Sequence, residues 1–158
     1  MIMRLLGLVG FAVLLLSSCN AGKNAMPSSD SGAYLELKTT PCFGRCATYV
    51  MRIGMDGQAT FKGEQYTDKK GDYKKTFSEV EVKDLFDKLV ALNPMERPDV
   101  YDNPRVTDLP SNILTFFDGK VEKTIKCRFD IPDDMLAYLK ELRTIAESRE
   151  GWEAVTAR

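Results

Sequence analysis

The chain predicts an α+β fold: an antiparallel sheet with elements in the order β-β-β-β-α-β-β-α and both helices packed on one face. Three observations carry this. Short runs in the first half alternate apolar and polar residues, the period of a half-buried strand. Two later segments repeat apolar residues at the spacing of a helix with one buried side. Asp-Gly pairs at 56–57 and 118–119 stand between apolar runs, where a hairpin turn needs residues that tolerate positive φ.

In chain order, Ala33, Leu35 and Leu37 alternate with Glu36 and Lys38 as a first strand. The second places Tyr49, Met51 and Ile53 on one face and Thr48, Val50 and Arg52 on the other. Beyond the turn at 54–57, Ala59 and Phe61 point inward from a third strand, and Tyr73 and Phe77 mark a weaker fourth after Gly71. Ser78-Glu79-Val80-Glu81 reads as a capping box, in which serine and glutamate side chains satisfy free amides at a helix start. Val82, Leu85, Phe86 and Leu89 give that helix its apolar face, and Asn93-Pro94 stops it. Pro94, Pro98, Pro104 and Pro110 follow, a stretch too proline-rich for regular structure. Runs 113–117 and 121–129 flank Asp118-Gly119 as a two-residue hairpin. Finally, Pro132 sits at a helix start with Asp133 and Asp134 at its positive end. Leu136, Leu139, Leu142, Ile145 and Ala146 form that helix's apolar face.

Residues 1–18 read as a signal peptide. Arg4 is followed by an apolar run, 5–16, that is shorter than the roughly 20 residues needed to cross a bilayer and fits a cleaved signal. Leu16-Ser17-Ser18-Cys19 resembles the lipobox of bacterial lipoproteins, which implies cleavage before Cys19 and acylation of its sulfur. Two or more acyl chains would anchor the protein to a membrane stably, where one binds marginally. Asn20 is not the aspartate that retains some lipoproteins at the inner membrane, so the resemblance implies the cell envelope, at the outer membrane facing the periplasm. Residues 19–32 are then a lipidated cysteine and a flexible tether. Residues 33–150 are long enough for one domain with its own core, and 151–158 form a tail. Trp152 in that tail either docks on the domain or anchors a partner. The net charge is −1, or −2 once Arg4 is removed. Neither value suits nucleic acid, which selects a strongly basic face.

Cys42-Phe43-Gly44-Arg45-Cys46 lies where the connection between the first two strands belongs. In an oxidising envelope, two thiols flanking a tight turn are expected to bond, fixing the loop so that Phe43 and Arg45 are displayed rigidly around Gly44. Two other readings stand beside this one. A redox-active pair is disfavoured because such sites use two intervening residues at a helix start, which lowers the attacking thiol's pKa. A metal site is disfavoured because the chain has no histidine and only Cys127 as a further thiol. Cys127 shares strand parity with Val121, Ile125 and Phe129 and is expected to face the core as a small hydrophobe.

Pro41-Cys42-Phe43-Gly44-Arg45-Cys46, Tyr49 and Asp56-Gly57, with Thr107-Asp108-Leu109-Pro110 as a second patch, resemble the domain of unknown function 6438 family. Its members are small bacterial envelope proteins, many of them lipoproteins. The resemblance covers nearly all of 35–145 and implies the fold and the location of a site, but no chemistry. Ala47 stands where the family usually has proline.

Glu96, Asp99, Asp102 and Asp108 punctuate the proline-rich segment. Acid–base catalysis and calcium binding both lack the expected spacing there. Asp108 reads as a cap for turn amides, and the other acids as solvated. The sequence therefore points to a non-catalytic envelope lipoprotein, a binding or structural module with no cofactor and no metal. Candidate binding residues are Phe43, Gly44, Arg45, Tyr49 and Asp108, directed at an envelope protein or glycan. A thiol–disulfide oxidoreductase using Cys42 and Cys46, or an inhibitor of an envelope hydrolase, are the alternatives.

Overall fold

The computed structural model describes residues 32–156, so the signal peptide, Cys19 and the tether up to residue 31 lie outside the described residues. One sheet contains β1 (Tyr34–Thr39), β2 (Thr48–Gly54), β3 (Gln58–Gln65), β4 (Gly71–Thr76), β5 (Val100–Tyr101), β6 (Asn112–Phe117), β7 (Glu122–Cys127) and β8 (Glu153–Ala154). Its helices are α1 (Glu79–Ala91) and α2 (Asp133–Glu147). Strands lie in the order β5-β7-β6-β1-β2-β3-β4-β8, and every pairing is antiparallel except β5 with β7. The fold is thus α+β, as the sequence predicts, with two short strands added.

The alternation that predicts β1 to β3 is the alternation that builds the core. Leu35, Leu37, Tyr49, Met51, Ile53, Ala59 and Phe61 are all buried, and Leu114, Phe116, Ile125 and Cys127 continue the same layer. Both helices cover this one face. Val82, Leu85, Phe86 and Leu89 of α1 join the same cluster as Met135, Tyr138, Leu139, Leu142 and Ala146 of α2. The buried Tyr138 hydroxyl donates to the Leu85 carbonyl at 3.0 Å, tying one helix to the other. On the uncovered face the residues are mixed; Arg52 lies over the Tyr34 ring at 4.0 Å and pairs with Glu36 at 2.8 Å.

The capping box forms as written: Ser78 accepts from the Glu81 amide, and the Glu81 carboxylate accepts from the Ser78 amide. Other local expectations are corrected. Leu136 is half exposed, while Met135 and Tyr138 face the core, so the buried stripe of α2 is turned by one residue. Met135 and the Tyr138 ring lie in the core cluster with Leu139, Leu142 and Ala146. The β6–β7 turn is centred on Gly119-Lys120, with Asp118 accepting from the Lys120 and Val121 amides at 2.7 and 2.8 Å. Val121 therefore closes the turn and is exposed, unlike Ile125 and Cys127. Within the proline-rich stretch, Pro94–Glu96 forms a 3₁₀ turn and Val100–Tyr101 pairs with β7, held by the Lys126 amide on the Asp99 carbonyl at 2.8 Å. Its acids are not simply solvated: Asp99 pairs with Lys123, and Asp102 with Lys126 and Arg128.

The tail belongs to the folded unit. β8 pairs with β4, and Trp152 is buried against Phe61 with ring centroids 5.6 Å apart. Its indole N–H donates to the Ile145 carbonyl at 3.2 Å. Docking is therefore the reading of Trp152 that holds.

Candidate functional site

The loop between β1 and β2 is fastened at its base by threonines. Thr39 donates to the Ala47 carbonyl at 2.9 Å and accepts from the Tyr49 amide at 3.1 Å, bridging the two strands. Thr40 accepts from the Ser111 amide at 2.8 Å, while its own amide donates to the Ser111 carbonyl at 3.0 Å. Thr48 accepts from the Gln65 amide at 3.1 Å, where the β2–β3 register shifts. Above this base, Cys42 and Cys46 are joined in a disulfide with Cα atoms 5.7 Å apart. The bend falls at Phe43-Gly44, so neither cysteine stands at a helix N-terminus. Phe43 is 92% exposed at the tip. Arg45 turns the other way, its guanidinium 5.8 Å from the centre of the Tyr66 ring.

Arg45, Cys46 and Ala47 form one wall of a cleft of about 400 Å³. Tyr66, Thr67 and Asp68 from the β3–β4 loop face them, and Thr39, Pro110, Asn112, Arg143 and Glu147 complete the lining. Glu147 is the organised group. Its Oε1 accepts from Arg143 at 3.2 Å and from the Tyr49 hydroxyl at 3.3 Å. Burial and the Glu147 charge hold the Tyr49 phenol well above its ordinary pKa, so it remains a donor.

Below the cleft, the β3–β4 loop folds back so closely that a Cβ at Gly63 would overlap the Lys69 carbonyl oxygen. That approach drives the Lys69 side chain under the C-terminus of α2. Lys69 is 2% exposed, and its Nζ donates to the Ala146 carbonyl at 2.5 Å and to the Ser148 carbonyl. α2 has no basic residue in its last turn, so Lys69 supplies from a distant loop the cation that a helix C-terminus favours. Phe61 and Trp152 flank the ammonium at 4.6 and 5.3 Å from their ring centres. Burial lowers the Lys69 pKa to about 8.

The structure gathers some of the expected residues and separates others. Arg45 lines the cleft; Phe43 and Gly44 sit on the loop beside it. Tyr49 belongs to the core, with only its hydroxyl turned to Glu147. Asp108 lies exposed outside the cleft lining, where it accepts from the Thr107 hydroxyl at 3.0 Å rather than from a turn amide. Cys127 is a free, buried thiol whose pKa burial pushes up to about 11. Among the described residues no group of three or more carboxylates or thiols is placed to hold a metal ion. Sequence reasoning missed Tyr66, Asn112, Arg143 and Glu147; the last two are an i,i+4 pair on α2, but only tertiary packing brings the three segments to the loop.

The molecule is an open-faced α+β domain with a disulfide-fixed loop at one end of its sheet. It belongs to the family described as Domain of unknown function (DUF6438), whose profile matches residues 33–146. A search of curated proteins finds no match.

Proposed function

We propose that this protein is a non-catalytic lipoprotein of the cell envelope, anchored through Cys19, whose domain presents the 42–46 loop and the adjoining cleft to another envelope component. One observation carries the reading: a nearly fully exposed phenylalanine stands on a loop closed by a disulfide and beside a cleft. Ordering a loop on binding costs about 0.5–1.5 kcal/mol per immobilised side chain, and a covalent closure removes part of that cost beforehand. Of the two carboxylates of the cleft, Glu147 is held by an arginine and a tyrosine. β1 runs from the end where the preceding segment joins the domain to the end that carries the loop. Its six residues span roughly 20 Å, so the loop would face away from the membrane.

Crosslinking in intact cells with the tagged, lipidated chain, followed by capture and mass spectrometry, tests this. A stoichiometric partner lost on Phe43→Ala/Arg45→Ala supports the reading, and an unchanged capture pattern in that variant counts against it. An oxidoreductase role would instead require the Cys42–Cys46 pair to cycle; a pair that stays oxidised in millimolar glutathione sinks it.

A further inference from the structure

The chemistry of the cleft points to a class of ligand, and this step rests on the binding-module reading above. We propose that the cleft binds a neutral, hydroxyl-rich saccharide through Arg45, Tyr66, Asp68, Asn112, Arg143 and Glu147. Charge comes first. Two guanidinium groups are matched by two carboxylates, so the cleft has no net charge to attract a polyanion or a polycation. Apolar ligands are a poor match as well, since the lining is predominantly polar.

What remains is a set of planar hydrogen-bonding groups with capacity to spare. Among the described residues, the Arg45 guanidinium pairs with no carboxylate and makes only its contact with the Tyr66 ring. Among the described residues the Asn112 amide and the Asp68 carboxylate make no side-chain hydrogen bond, and Glu147 is engaged through Oε1 alone. Amide, carboxylate and guanidinium groups each offer two neighbouring polar atoms in one plane. Adjacent hydroxyls of a sugar ring offer two donor–acceptor atoms at a similar separation. Tyr66 adds an aromatic surface at the rim, 53% exposed. The negative face of such a ring favours the C–H bonds of a pyranose. A volume of about 400 Å³ suits a short oligosaccharide rather than a deep single-sugar pocket.

Isothermal titration calorimetry of the full chain in detergent would use maltotriose, cellotriose and the N-acetylglucosamine trimer, with inorganic phosphate and trialanine as charged comparators. Saturable binding of at least one trisaccharide is expected. Arg45→Ala and Asn112→Ala should each weaken it about tenfold, the loss of one hydrogen bond to a polar or charged group. Thr124→Ala, on the uncovered face of the sheet, should leave it unchanged. Binding of phosphate or trialanine in place of every trisaccharide overturns the inference, as does trisaccharide binding indifferent to both cleft substitutions. No trisaccharide binding, together with a protein captured in cells through Phe43 and Arg45, overturns the saccharide but leaves the module. Failure of both experiments removes both.

Discussion

Lys69→Met tests whether the cleft's supporting loop is held by a buried cation. Methionine keeps most of the apolar stem but deletes the ammonium, and with it the cation–ring contacts to Phe61 and Trp152. Two charge-assisted hydrogen bonds to the last carbonyls of α2 disappear. Such bonds are worth about 1.5–3 kcal/mol each, and relief of the buried charge returns part of that. A net loss of about 2 kcal/mol is expected, equivalent to a fall in Tm of about 8 °C for a domain of this size. Urea unfolding between pH 7 and 10.5 would measure it. The pH dependence has a definite sign. Lys69 titrates near 8 in the folded state, below the ordinary lysine value of 10.5, so across that window the unfolded chain binds more protons. Wild-type stability relative to Lys69→Met should therefore rise with pH from about 8 to 10.5. A gap that narrows over this range would mean that the carbonyls hold the ammonium more strongly than burial opposes it. Equal stability of the two proteins would refute the capping role itself.

Three further outcomes are expected. Cys42→Ser/Cys46→Ser should lower stability by only about 2 kcal/mol, the chain-entropy value for so short a loop, measured by urea unfolding under oxidising conditions. Gly63→Ala should cost about 3 kcal/mol or more in the same assay, because the new methyl group meets backbone at Lys69 rather than a movable side chain. A thiol reagent at neutral pH should leave Cys127 unlabelled in the native protein and label it fully in denaturant, since burial both shields the thiol and keeps it protonated.

Much of the scaffold was legible because its signals are local. The Ser78–Glu81 box lies within four consecutive residues, and the alternation of Leu35 and Leu37 needs no knowledge of partners. β5 and β8 escaped because a two-residue strand has no period; Val100 and Tyr101 become a strand only when β7 lies alongside. Nothing local marks Lys69 in the sequence: its burial is set by Gly63 and by a helix end nearly eighty residues away. The cleft was half legible for the same reason. The cysteine spacing announced the loop, whereas Tyr66, Asn112, Arg143 and Glu147 meet it only through tertiary packing.

The position of β1 has a kinetic consequence. It lies inside the sheet between β2, its neighbour in sequence, and β6, whose register sets Tyr34 opposite Phe117. The β1–β4 meander can zip from short loops, but the second edge of β1 must wait for a segment closed by a much longer loop. Refolding should therefore bury Met51 and Phe61 early and complete the β1–β6 seam late, exposing the Leu35 and Leu37 strand edge to mispairing in between.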